Sequence, residues 1–111
     1  MNVSWSARAL KAVNQTSDYI LDTFGFTANE SFLESIQQAS DLLLSNPMAG
    51  QIEPLLTHTP IQYRSIVIHR LGKIVYYIKK DTIRIAAFWD TRREPKRLMK
   101  ETQKKETTGL G

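Results

Sequence analysis

The hydrophobic period of this chain changes once along its length, and that change limits what the chain can fold into. From Ser6 to Phe24, Leu10, Val13, Ile20, Leu21 and Phe24 stand at helical spacings, the mark of an amphipathic helix that turns one stripe to a core. Ser6 is placed to accept a first-turn N–H, and Gly25 to end the helix. A second helix follows, with Phe32, Ile36, Ala39 and Leu43 at 4-3-4 spacing. Thr27 and Glu30 form a capping-box pattern, so its start is expected at Thr27, and Asn46-Pro47 stops it. A connection this short folds two helices into an antiparallel hairpin.

Beyond the hairpin the period falls to two. Residues 48–60 read as loop, punctuated by Gly50, Pro54 and Pro60. Tyr63 to His69, Lys73 to Lys79 and Ile83 to Trp89 then alternate and are rich in β-branched and aromatic residues. Ile74, Tyr76 and Ile78 share one side of their strand, and the alternation puts Ile83, Ile85 and Ala87 on one face of theirs. Turns at Leu71-Gly72 and Lys80-Asp81 make an antiparallel meander. Asn2 to Trp5 is a short strand ahead of the first helix. Hairpin and sheet each need a cover, and packing one on the other supplies both. The expected class is α+β: a short N-terminal strand, a helix hairpin and a mainly antiparallel sheet. Val75 and Phe88 are expected on the opposite side of the sheet, partly covered in turn.

At 111 residues the chain is one domain, placed at residues 1–97, with a basic tail at 98–111 expected to be partly disordered. The absence of cysteine excludes a disulfide framework and thiolate zinc sites. No apolar run approaches the roughly 18 residues of a membrane span, so the expected location is the cytoplasm, with no membrane partner. The net charge of +4 conceals a division. Residues 1–60 set Arg8 and Lys11 against Asp18, Asp22, Glu30, Glu34, Asp41 and Glu53, whereas residues 61–111 are strongly basic. That asymmetry points to a polyanion or an acidic partner for the second half.

No cysteine nucleophile, phosphate-cradling glycine loop or paired-histidine motif is present. His58 and His69 read as surface histidines, and no metal or cofactor is expected. Asp90 reads as a structural acceptor after the last strand. Basic residues are more informative. Arg64 opens the first meander strand, while Arg70, Lys73, Arg92 and Arg93 gather where that strand ends, the next begins and the last ends. Guanidinium groups fixed at strand ends fork onto phosphate or carboxylate oxygens, so these five are the candidate target- or nucleic-acid-binding residues, against a plain solvated rim. Tyr76, Tyr77 and Trp89 offer stacking faces for RNA bases, although aromatic residues at strand spacing more often serve as core.

The ordered set of Trp5-Ser6, Asn46-Pro47, Tyr63-Arg64, Ile74-Val75-Tyr76-Tyr77-Ile78 and Trp89-Asp90-Thr91-Arg92-Arg93-Glu94-Pro95 resembles the RelE/ParE toxin superfamily, the plasmid-stabilisation type. The resemblance covers about residues 3–97. It implies a growth-inhibiting toxin of a type II toxin–antitoxin system, silenced by a cognate antitoxin protein. It also implies one of two targets: the ribosome and its mRNA, cleaved by RelE-like members, or DNA gyrase, poisoned by ParE-like members. For a ribonuclease, the matching positions are Arg64, Lys73 and Arg93. Yet Ile66 stands where ribonucleases carry a base, and the late aromatic proton donor falls near Met99, with no Tyr or His after Trp89. Losing that donor removes a contribution of about 10²–10⁴ in rate. The sequence therefore leans to ParE-like, non-hydrolytic action, with a RelE-like endoribonuclease and an inactive binding module as alternatives.

Overall fold

In a computed structural model of the chain, the described residues are 1–69 and 72–90. The elements run β1 (Asn2–Trp5), α1 (Ala7–Phe24), α2 (Phe26–Ser45), β2 (Gln51–Ile52), a 3-10 turn (Pro54–Leu56), β3 (Arg64–His69), β4 (Gly72–Lys79) and β5 (Thr82–Asp90). They form one five-stranded sheet in the order β1-β5-β4-β3-β2. The meander is antiparallel, and β1 adds to β5 in parallel, Asn2 opposite Thr82 and Trp5 opposite Ile85. The expected α+β architecture is the observed one.

The helices pack on one face of the sheet, α1 over β5 and α2 over β3. Ala9, Val13 and Ile20 meet Phe32, Ala39 and Leu43 above Ile74, Tyr76, Ile83, Ile85 and Phe88. In α1 the buried stripe is Ala9, Val13, Thr16 and Ile20, and the expectation that Leu10, Leu21 and Phe24 join it is corrected, since all three are exposed. In α2 the stripe read from the sequence holds, with Phe32, Ala39 and Leu43 buried and Ile36 packed at their border. On the opposite face, Leu56 and Tyr63 close over Val75, Ala86, Ala87 and Trp89.

Three further local expectations are corrected. The capping box at Thr27 does not form: α2 begins at Phe26, and Gly25 is the single residue between the helices. Gly25 adopts φ 94°, where a side chain is strained, and its carbonyl already accepts from Asn29 N–H. Thr27 and Glu30 are thereby helical, not capping. The segment read as loop contains β2 and the 3-10 turn, because Gln51 and Ile52 pair with Ser65 and Arg64. Ala87 and Phe88 exchange faces. Val75 lies opposite Ala87 but Tyr76 lies opposite Ile85, so Ala86 is the extra residue of a β-bulge. Beyond it the alternation inverts, sending Phe88 to the helices, edge-on to Phe32 at 5.8 Å, and Ala87 away from them.

Ser6 secures both the bulge and the first helix. Its hydroxyl accepts from Ala9 N–H at 3.0 Å and donates to the carbonyl of Ala86 at 2.9 Å. The bulge would otherwise leave that carbonyl without a ladder partner. Ser6→Ala removes the cap and this bond together, and is expected to lower stability by about 1–2 kcal/mol in urea denaturation.

Candidate functional site

The two sequence-selected basic residues that the structure describes stand on opposite faces of the sheet. Arg64 pairs with Tyr76, whose side chain belongs to the helix-side core, and Lys73 pairs with Trp89, which belongs to the other core. Directly paired residues project the same way, so Arg64 and Lys73 do not share a surface. They also occupy opposite ends of the meander: Lys73 lies next to the end where His69, Gly72 and Asp90 meet. Arg70, Arg92, Arg93 and Met99 lie outside the described residues.

Lys73 is held by a carboxylate that the sequence reading only counted among the acids of residues 1–60. Glu53 is fully buried. Its Oε2 accepts from Leu55 N–H at 2.8 Å, and its Oε1 accepts from the Ser65 hydroxyl at 2.8 Å and from the Lys73 ammonium. The ammonium also lies 5.1 Å from the centroid of the Trp89 ring, within cation–π range. Burial pushes the Glu53 carboxyl upward, but the Lys73 bond, then Leu55 N–H, Ser65 and the Lys73 charge outweigh it, and the net shift is downward from 4.5. Glu53 is the only carboxylate between Asp41 and Asp81. That isolation, in a loop facing a strand with an inward lysine, was the signal available in the sequence.

On the helix side, Arg64 donates to the carbonyl of Gly50 at 2.8 Å. Gly50 N–H donates to the Tyr76 hydroxyl at 2.9 Å, and that hydroxyl donates to Pro47 O at 2.7 Å. Burial raises the Tyr76 pKa above 10.0, against the lowering effects of Gly50 N–H and Arg64, so the phenol stays a donor. A Cβ on Gly50 would sit 2.7 Å from both Ser65 O and Tyr76 Oη. The backbone passes there only because residue 50 has no side chain.

Tyr76 and Trp89 are buried core residues, and Tyr77 is edge-on to Tyr63 at 5.6 Å. Tyr76 and Trp89 therefore present no open stacking face. Arg84 and Lys79 are exposed, and both pair into the face that carries Tyr77. The sequence reading did not single them out. Among the described residues no cluster of His, Cys, Asp or Glu is arranged to hold a metal ion, and no helix is long and apolar enough to cross a membrane.

The family model of the ParE toxin of the type II toxin–antitoxin system parDE matches residues 3–95. The chain belongs to the ParE toxin family. Among curated proteins none matches it by sequence. Among solved structures, the chromosomal ParDE TA system from P. aeruginosa is similar with a TM-score of 0.57 and 18% identity, covering 81% of this chain and 95% of that one. The YoeB dimer from Staphylococcus aureus is similar with a TM-score of 0.53 and 18% identity, covering 78% of this chain and 92% of that one. At such identity the likeness is one of fold, and it matches the hairpin-on-sheet architecture of this ParE-family chain.

Two measurements check the Glu53 network. Lys73→Met leaves a buried carboxylate without its cation and is expected to cost about 3 kcal/mol in chemical denaturation. Because the folded carboxyl titrates below its unfolded value, its stabilisation is complete above about pH 4.5 and is lost as pH falls through the lowered folded value. In Glu53→Gln, that part of the acid loss is expected to disappear from stability curves measured between neutrality and acid.

Proposed function

We propose that this chain is the toxin of a type II toxin–antitoxin pair and inhibits growth by ParE-like, non-hydrolytic binding to a protein target such as DNA gyrase, in the cytoplasm. One observation carries the non-hydrolytic part of this reading. Arg64 and Lys73, two of the three bases that a RelE-like ribonuclease would use, face opposite sides of the sheet. Each is also engaged by the chain itself, Arg64 by Gly50 O and Lys73 by Glu53. Phosphoryl chemistry needs several cations converging on one phosphate, and a lysine already neutralised by a buried carboxylate contributes little to that field. The missing late Tyr or His supports the same reading.

The proposed partner is a cognate antitoxin. An acidic antitoxin segment would complement the basic second half of the chain. The target-facing residues proposed are Arg64, Arg70, Lys73, Arg92 and Arg93; Arg64 and Lys73 are engaged by the chain itself, and the other three lie outside the described residues.

Expression of the chain alone in a bacterial host, with growth, transcript 5′ ends and plasmid supercoiling followed together, tests this reading. The expected result is growth arrest with transcripts intact and gyrase supercoiling reduced. New 5′ ends inside translated codons would instead assign the RelE-like ribonuclease acting on ribosome-bound mRNA. Normal growth with intact antitoxin binding would make the chain an inactive binding module.

A further inference from the structure

The tip of the helix hairpin is apolar and acidic at once. Phe24 and Phe26 flank Gly25, the single residue between α1 and α2, and are 62% and 67% exposed. Neither belongs to either core. The Tyr19 ring stands edge-on to Phe24 at 6.1 Å, and Leu21, one turn before Phe24, is exposed as well. Grouped exposed aromatic residues of this kind anchor protein interfaces.

The rings project from a fixed support. Gly25 N–H donates to the carbonyls of Ile20 and Leu21, and Asn29 N–H donates to Gly25 O. The Ser17 hydroxyl donates to Asn29 Oδ1 at 2.6 Å, tying α1 to α2 beside the turn. A surface held in one geometry before contact loses little freedom on binding.

Charge says what covers the tip. No lysine or arginine occurs between Lys11 and Arg64, while residues 12–45 carry Asp18, Asp22, Glu30, Glu34 and Asp41. All five are exposed. Asp18 and Asp22 are like charges four residues apart on one helix, and so are Glu30 and Glu34, a spacing that weakens the helix bearing it. Asp22 also stands in the last turn of α1, where the helix dipole favours a cation. These acids oppose the stability of their own helices, and a cationic partner reverses that effect.

We propose that the hairpin tip seats in an apolar hollow rimmed by lysine or arginine on the toxin's protein target. This contact rests on the protein-target reading above and adds an acidic surface to the basic residues named there. An acidic antitoxin segment is repelled from the tip, and so is a nucleic acid. A second copy does offer exposed cations, at Lys79, Lys80 and Arg84. A tip set on that face, however, is a head-to-tail contact that grows into rings or open chains.

The test expresses the full chain alone, reads growth arrest at matched soluble levels, and follows the purified variants by circular dichroism and thermal melting. Phe24→Ser with Phe26→Ser is expected to keep the fold and to raise the inducer needed for arrest by about tenfold. Asp22→Lys is expected to raise the melting temperature, because it ends a like-charge pair and suits the dipole. It nevertheless weakens arrest, whereas a purely structural role would move stability and toxicity together. Undiminished arrest by either variant overturns the proposal. So does a variant that still arrests growth but escapes silencing by co-expressed cognate antitoxin, which gives the tip to that partner. A mass that grows with concentration in light scattering, and that Asp22→Lys abolishes, assigns the tip to a second copy and overturns it too. A wild-type chain that leaves growth untouched removes the proposed function itself, and this contact falls with it.

Discussion

One extra residue in β5 organises this fold. A regular strand from Thr82 to Asp90 would place Ile83, Ile85 and Ala87 under the helices and leave Phe88 on the far side. With Ala86 bulged, Ile83, Ile85 and Phe88 all face the helices, and Phe88 meets Phe32. Ala86, Ala87 and Trp89 pass to the second core. Both cores of the domain thus hang on a single irregularity in the strand that lies between β1 and β4. The same irregularity frees a carbonyl, and the Ser6 hydroxyl takes it while starting α1. Gly72 has the same logic: a Cβ there would press on the Phe88 ring and come within 2.9 Å of Trp89 O.

Most of the architecture was legible because it rests on period. A stripe at 4-3-4 spacing buries a helix face whatever lies beneath it, and Phe32, Ala39 and Leu43 behave accordingly. What escaped depends on contacts between distant residues. The start of α2 was misplaced because Thr27 and Glu30 satisfy a local rule, while Gly25 at positive φ turns the chain one residue earlier. β2 was missed because two residues carry no period, and only pairing with Arg64 and Ser65 makes them a strand. Likewise, two successive alanines in β5 give alternation nothing to register, so the inversion of faces at Ala86 left no trace.

The candidate surface was less legible than the fold. A list of basic residues on adjacent strands does not say which share a face, and Arg64 and Lys73 do not. Nor does it say which are already neutralised. Glu53 looked like one acid among six in the first half of the chain, yet it is buried and binds the lysine of the second half. The charge division is therefore softer at the surface than the residue counts suggest, because one acid of the first half and one lysine of the second neutralise each other. Affinity for a polyanion is set by the cations left unpaired, and Lys73 is not among them.

The pairing of β1 with β5 joins Asn2 to Thr82, which ties the order of folding to the order of synthesis. During translation the helix hairpin, reversed through one glycine, leaves the ribosome early and can form from near neighbours. Strand β1 emerges before its partner and stays unpaired until β5 follows it out, because parallel pairing of strands so far apart in sequence closes a long loop late. Ser6 cannot meet Ala86 before then, and neither core has its floor. A nascent chain halted anywhere before residue 82 is thus without the strand that both cores share. A ParE-family protein made this way completes its two cores only once β5 has been made.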